Sequence, residues 1–230
     1  LHCLGGRPLL WHVLETAKAL NPGKICVVYG HGGESVPLAM KSSGDSIIWV
    51  KQEPQLGTGH AVMQALPHLD EAAPTLILYG DVPLIALQTL VNLVAAAGQQ
   101  VGILTAILQN PSGYGRIVRK NGNIEGIIED KDADASQRLI NEVNTGILIA
   151  PTVNLKVWLS KLSNDNAQRE YYLTDVVAIA AKEGTPISSA QPSDVWEMLG
   201  VNSKAQLSQL EQLRRTSIAN GLLAKGVTLV

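Results

Sequence analysis

Three stretches of this chain bring together side chains that could do chemistry. In Thr75-Leu-Ile-Leu-Tyr-Gly-Asp81-Val-Pro83, an apolar run bounded by Pro74 and Gly80 ends in a carboxylate. The run is too short for a helix and reads as a buried parallel strand, and open α/β sheets bind ligands beyond the carboxyl ends of such strands. An aspartate there, with Gly80 letting a ligand approach the backbone, suits Mg²⁺ carrying phosphates, because Mg²⁺ takes oxygen ligands and usually only one or two carboxylates. Asp81 equally suits the start of a turn before Pro83, and the stretch alone does not separate the two readings. In Gln55-Leu-Gly57-Thr58-Gly59-His60, the Gly-Thr-Gly at a helix start offers free backbone N–H groups and a hydroxyl to a phosphate or a base edge. In Glu170-Tyr-Tyr-Leu-Thr-Asp175, carboxylates, phenols and a hydroxyl fall within one short segment, although Thr174 or Asp175 can be a helix cap and either tyrosine a core residue. Asn144 stands in an otherwise apolar strand, Glu142 to Ile149, where a polar side chain needs a partner.

The elements that must position these residues follow from hydrophobic periodicity. Helical spacing predicts helices over Arg7–Leu20, Ala61–Leu66, Leu87–Ala97, Val153–Leu162 and Tyr172–Lys182, and a last helix capped by Ser203 and running to Ala224. Strand patterns cover Lys24–Tyr29, Ser46–Val50, the Thr75 run, Val101–Leu108, Glu142–Ile149 and Pro186–Ala190. Alternation of strands and helices in the first half argues a parallel, doubly wound sheet. Past Asn110 the pattern becomes Gly113–Arg119 and Asn123–Ile128 around Asn121-Gly122, a hairpin signal, read as a β-hairpin over the ligand edge of the sheet. Gly30-His31-Gly32-Gly33 matches neither a dinucleotide fingerprint nor a Walker loop and reads as a plain turn. Asp130-Lys-Asp-Ala-Asp134 lacks the glycine and glutamate of a calcium loop and reads as a solvated loop.

Composition narrows the function classes. With 230 residues, 46% hydrophobic and 17% charged, the chain can bury a full core, and a formal net charge of -2 gives no general attraction to nucleic acid or anionic membrane. No apolar run approaches the roughly 20 residues that span a bilayer. Cys3 and Cys26 fall in different elements, which points to reduced thiols in a cytoplasmic protein.

Gln52, Gln55–Ala61, Leu78–Leu84, Gly113–Ile117, Glu129, Glu142–Ile147, Glu170–Asp175 and Gly200-Val-Asn202 occur in an order that resembles the uridylyltransferase domain of the bacterial bifunctional enzymes that make UDP-N-acetylglucosamine. The resemblance covers nearly the whole chain. It implies a Rossmann-like nucleotidyltransferase fold of the sugar-nucleotide pyrophosphorylase type, with a mainly parallel sheet, helices on both faces and a β-hairpin insertion. It implies transfer of UMP from UTP to N-acetylglucosamine 1-phosphate with Mg²⁺, giving UDP-N-acetylglucosamine and pyrophosphate. By resemblance, Gln52 reads the uracil edge beside Gly57 and Thr58, and Tyr79, Gly80 and Asp81 line the nucleotide site. Asp81 is the catalytic carboxylate and holds the metal with Asn202, which also counts with the sugar group. Gly115, Glu129, Asn144, Tyr172 and Thr174 match sugar-contacting positions, with Glu170 as their neighbour. The implied domains are a nucleotidyltransferase unit over 1–202, a linker helix over 203–225 and the start of a β-helix domain at 226–230. The family's first strand and Gly-rich phosphate loop are expected ahead of Leu1, and acetyl transfer and trimerisation belong to the β-helix that would follow Val230. A binding module that holds a sugar nucleotide without turnover is the alternative reading. An NAD-dependent oxidoreductase is disfavoured, because no dinucleotide fingerprint follows any strand.

Overall fold

The computed structural model describes residues 2–41 and 46–229; Leu1 and Val230, the outer ends of the expected domain spans, lie outside them. The chain opens with β1 (Cys3–Leu4), β2 (Arg7–Pro8) and α1 (Leu9–Ala19). Strand β3 (Ile25–Tyr29), helix α2 (Ser35–Ala39), β4 (Ile47–Lys51) and α3 (Thr58–Ala65) come next, then β5 (Pro74–Ile77), α4 (Leu87–Ala97) and β6 (Val101–Ile107). After these come β7 (Arg116–Lys120), β8 (Asn123–Ile128), β9 (Glu142–Pro151), α5 (Thr152–Leu159), α6 (Asp175–Lys182), β10 (Ile187–Ala190) and α7 (Lys204–Ala224). Arg7 and Pro8, expected in the first helix, pair instead with Cys3 and Leu4 across Gly5-Gly6. Helix α3 starts three residues earlier than its apolar periodicity suggests, at Thr58, because Gly57 ends the preceding loop.

The main sheet has the order β10-β6-β9-β7-β8, with β5 pairing β9. Strands β6 and β10 are parallel, and β9 runs antiparallel to both β5 and β6. Thus β5, β6 and β10, linked through helices, share one direction as an α/β sheet requires, while β9 arrives from the β-hairpin without a helical crossover and runs against them. The sheet is therefore mixed rather than mainly parallel in its pairings. Strands β3 and β4 are parallel and form a separate pair. At the β7–β8 turn Asn121 and Gly122 both take positive φ, 52° and 84°, which is the geometry of a tight two-residue hairpin turn. The hairpin extends the sheet through Arg116 opposite Val143.

Side chains alternate along β6 and β9, and so helices cover both faces. Val101, Ile103, Leu148 and Ala150 face α5 and α6 through Leu155, Trp158, Leu159, Val176, Val177 and Ala180. Leu104, Ile147 and Ile149 face α4 through Leu90, Leu93 and Ala97. A third cluster joins Leu4 and Leu9 to Val201 and Leu210, with Leu84 against it, and ties the N-terminal hairpin and α7 to the loop after β5. Ser203 caps α7 by accepting from the Gln206 N–H at 3.2 Å. Beyond Leu210 the helix buries little, and Ile218 and Leu223 are exposed.

Gly102 lies where β6 meets both α4 and β9: a Cβ there would fall 2.7 Å from Ala97 Cβ and 3.0 Å from Ile149 Cγ2. Gly102→Ala is expected to destabilise the fold by about 1–3 kcal/mol through overpacking, read as a lower midpoint in thermal or urea unfolding; an unchanged midpoint would show that this contact yields at no cost.

Candidate active site

The β4 strand delivers Gln52 to the end of the β3–β4 pair, where its N–H donates to the Tyr29 carbonyl at 2.8 Å. The loop that follows is stitched to the segment before α6. Tyr171 N–H donates to Leu56 O and Gly59 N–H donates to Tyr171 O, both at 2.8 Å, and Thr58 Oγ1 accepts from Leu173 N–H at 3.2 Å. Gly57 must be glycine on two counts: its φ is +103°, and a Cβ would fall 2.8 Å from both Glu170 Cβ and Tyr171 O. Glu170 is thereby placed against Gly57, with its backbone N–H and carbonyl held by the Asn166 side chain.

Tyr79 stands between the groups. Burial pushes its hydroxyl up to about 12, the Thr58 hydroxyl opposes this, and the Glu129 and Asp81 carboxylates add to it. Its ring lies on Gly146, where a Cβ would come within 2.6 Å and where φ is +88°. Gly146 belongs to an irregularity in β9. The β6–β9 register shifts between Ile103 and Thr105, and Thr145 turns its hydroxyl to Leu104 O at 2.8 Å. Such bulges re-aim side chains next to sites, and here the neighbour re-aimed is Asn144. Asn144 Oδ1 accepts from Gly146 N–H at 3.1 Å and its backbone N–H donates to Gly115 O at 2.8 Å, so its amide NH₂ is left to donate.

Glu129 accepts from the Thr174 hydroxyl at 2.8 Å, and its Oε2 faces Gly115, 3.5 Å from where a Cβ would stand. Thr174, the residue before α6, therefore spends its hydroxyl on Glu129 and makes no side-chain cap bond. Burial raises the Glu129 carboxyl above the usual range, and the Asp132 and Asp130 carboxylates add to the rise. Asp175 is raised in the same way, by burial and then by Glu129 and Asp132. The Tyr172 hydroxyl is sealed from solvent without a hydrogen bond of ordinary geometry among the described residues, and burial together with Asp132 pushes it up to about 12. Under this group the buried Arg116 guanidinium donates to Asp130 at 2.9 Å and to the Tyr114 carbonyl, strapping the residues on either side of Gly115 and Glu129.

Asp81 and the Gly200–Asn202 segment, far apart in sequence, meet in space. Val201 N–H donates to Asp81 O at 3.0 Å, and Gly200 leaves the Asp81 carboxylate open, with Oδ2 3.7 Å from where its Cβ would stand. Burial raises the Asp81 carboxyl, its own backbone N–H opposing, and no lysine or arginine pairs with it among the described residues. The Asn202 side chain is exposed nearby, its backbone N–H donating to Gln206 at 2.8 Å. Among the described residues no three His, Cys, Asp or Glu side chains are grouped to hold a metal. A cation at Asp81 would thus meet one carboxylate, lacking a cationic partner, and neutral oxygens, which fits a divalent ion such as Mg²⁺. Glu197, buried, holds both sides of this junction: it accepts from Thr89 Oγ1 at 2.6 Å, from Ala86 N–H at 3.1 Å and from Asp194 N–H at 3.2 Å.

The residues read from the sequence are linked by contacts around Tyr79: Gln52, Gly57 and Thr58 on one side, with Glu170 against Gly57 rather than beside Glu129 as expected, Asp81 and the Gly200–Asn202 segment on another with Gly80 between Tyr79 and Asp81, and Gly115, Glu129, Asn144 and Thr174 on a third with Tyr172 two residues before Thr174. Sequence reasoning missed Asp132, Gly146, Arg116 and Glu197. A glycine inside a strand was the available signal for Gly146 and the acidic run Asp130–Asp134, read as a solvated loop, for Asp132; none marked Arg116 or Glu197. A recess of 430 Å³ beside Glu34, Met40, Lys41 and Trp49 lies away from these residues and gathers no converging polar set.

The raised carboxyls fix a pH dependence. The folded state holds protons on Glu129 and Asp175 more tightly than the unfolded chain, so their contribution is fully present below the ordinary carboxylate range and is lost as pH rises through their raised folded values. Glu129→Gln is expected to flatten the fall in melting temperature over that window; a variant with the wild-type slope would place the titration elsewhere.

The MobA-like NTP transferase domain model matches residues 1–228. "Bifunctional protein GlmU" of Janthinobacterium sp. (strain Marseille) is 57% identical over 230 residues, covering 100% of this chain and 50% of its own length. The protein of the same name from Herminiimonas arsenicoxydans is likewise 57% identical over 230 residues, covering 100% of this chain and 50% of its own. The chain therefore spans about half the length of these curated relatives. A solved UDP-glucose pyrophosphorylase complexed with UDP-glucose superposes with a TM-score of 0.71 at 17% identity, covering 91% of this chain and 87% of its own. A putative glucose-1-phosphate thymidylyltransferase from Bacillus anthracis gives 0.71 at 16% identity, covering 94% and 85%. At those identities the likeness speaks for the fold alone, but the domain match runs through nearly every residue, and the chain belongs to the MobA-like NTP transferase domain family.

Proposed function

We propose that this chain transfers UMP from UTP to N-acetylglucosamine 1-phosphate, releasing pyrophosphate and forming UDP-N-acetylglucosamine. The observation that carries the reading is the convergence on Tyr79 of three groups: the Gln52–Thr58 end, the Asp81–Asn202 junction and the Gly115–Glu129–Asn144–Thr174 end. That arrangement suits a sugar nucleotide with its base at the first, its phosphates at the second and its sugar at the third. The relatives that match the whole chain, each named as a bifunctional protein GlmU, support it. Residues 1–202 form the catalytic unit in this reading, 203–225 a linker helix and 226–230 the start of a further domain, and the setting is cytoplasmic. No helix among the described residues is long and apolar enough to cross a membrane.

In the proposed reaction an oxygen of the sugar phosphate attacks the α-phosphorus of UTP. A new P–O bond forms as the bond from the α-phosphorus to the bridging oxygen breaks, and pyrophosphate departs with that electron pair. Asp81 and Asn202 would hold Mg²⁺, which supplies positive charge where two polyanions meet. The chain's own residues align the reactants. Gln52 and the Gly57–Thr58 backbone seat the nucleoside, Glu129 accepts from sugar hydroxyls, and the Asn144 amide donates to an acceptor on the sugar. No covalent intermediate on the protein is needed.

Pyrophosphate release from UTP and N-acetylglucosamine 1-phosphate, with and without EDTA, tests the reading. Asp81→Asn is expected to lower turnover by at least about a hundredfold with the melting temperature preserved, the scale seen when a single electrostatic stabiliser is removed; full activity in that variant would remove Asp81 from the metal site. Asn144→Ala is expected to raise KM for the sugar phosphate about tenfold, the scale of one lost polar contact, with little change for UTP. Equal effects on both substrates would move Asn144 out of the sugar end.

A further inference from the structure

Gln52 sits in a small relay whose polarity is fixed by its chemistry. Its side-chain nitrogen lies 3.0 Å from the Gly57 carbonyl, which can only accept, so the nitrogen and not the oxygen belongs there. The same nitrogen lies 3.0 Å from His60 Nδ1, and it has one hydrogen for each partner. Nδ1 therefore accepts, and the proton of the neutral ring resides on Nε2. The Gln64 side-chain nitrogen lies 3.2 Å from His60 Nε2 and 3.4 Å from the His60 carbonyl; with the ring proton on Nε2, this amide must turn to present its oxygen to that N–H, giving up the longer contact. Both Gln52 amide hydrogens are thus engaged within the protein, and its Oε1 has no partner among the described residues.

We propose that His60 is a positioning residue for base selection: by accepting from Gln52 it leaves the Gln52 oxygen as the one free polar atom of that amide, so the site takes a pyrimidine that offers an N–H there. Uracil presents its N3–H at that edge, whereas cytosine presents a lone pair on N3, which the Gln52 oxygen repels. Without His60 the Gly57 carbonyl holds only one amide hydrogen, the second becomes free to meet an acceptor, and the discrimination weakens. The proposal rests on the uridylyl-transfer reading and adds to it the device that selects the base.

The test is calorimetric binding of UMP and CMP, independent of turnover, together with kcat/KM for UTP and CTP. His60→Leu is expected to reduce the UMP over CMP preference by about tenfold, roughly one hydrogen bond of discrimination, with KM for the sugar phosphate unchanged. His60→Gln, whose carbonyl can accept from Gln52, should restore most of it. A second pair leaves His60 in place: Gln64→Glu accepts from Nε2–H, holds the same tautomer and keeps the preference, whereas Gln64→Lys offers a donor, drives the proton to Nδ1 and loses it. A wild-type protein that binds UMP and CMP alike would refute the uridylyl reading and this proposal with it. A wild-type preference that persists unchanged in His60→Leu, or that is equal in the two Gln64 variants, would overturn the role of His60 alone. Equal weakening of both nucleotides in His60→Leu would mark a merely structural role and overturn it too.

Discussion

The stitch between Leu56–Gly59 and Tyr171–Leu173 is the constraint on which the rest of the site depends. Two backbone hydrogen bonds and one to the Thr58 hydroxyl lock a loop from the first half of the chain to one from the last third. Neither Gly57 nor Gly59 could carry a Cβ at this contact without meeting the Tyr171 carbonyl inside 3.0 Å. Backbone-to-backbone contact of this kind sets the separation of the two ends more rigidly than long side chains could, because there are no rotamers to lose. The Gln52 end and the Glu129–Thr174 end therefore keep a fixed spacing, which a substrate of fixed length can exploit.

The Asp81–Asn202 junction is held by a different principle. Asp81 follows a strand end and Asn202 precedes a helix, and each would wander if left to its own loop. Glu197 prevents this by accepting from Thr89 and Ala86 at the start of α4 and from Asp194 in its own segment. One buried carboxylate with three donors satisfies orphan N–H groups at a helix start and joins the two loops. Leu84 and Val201 then seal the junction with apolar contact. The site is thus rigid where groups are positioned by backbone and open where Gly200 and Gly115 leave space.

Much of this was legible beforehand, for physical reasons that differ by element. Helix α4 was read to the residue because its apolar spacing is unbroken, and the β7–β8 turn because Asn-Gly favours the positive φ both residues adopt. The direction of β9 was not legible, since an apolar run records burial on two faces but not which way the strand runs. The start of α3 was missed because Thr58, Gly59 and His60 are poor helix formers, held helical by the stitch to Tyr171. Among the candidate residues, Asp81 stood out as a carboxylate just past an apolar run and Asn144 as a polar group inside one. Glu197 and Arg116 gave no such signal, because their meaning lies in partners remote in sequence.

The antiparallel placement of β9 also governs the order in which the molecule can be assembled. Among the described residues β5 has no strand partner except β9, with Pro74 opposite Pro151, and Thr75 shares a hydrogen bond with Thr152 at 2.6 Å. Among the described residues, the strand that leads to Asp81 thus finds its partner more than seventy residues further along the chain. The Asp81 loop waits longer still, for Val201. Such long-range closure makes folding slow and leaves an apolar strand uncovered in the interval. The Asp81 loop is thus among the last of the described parts to be closed, and its geometry depends on residues synthesised long after it.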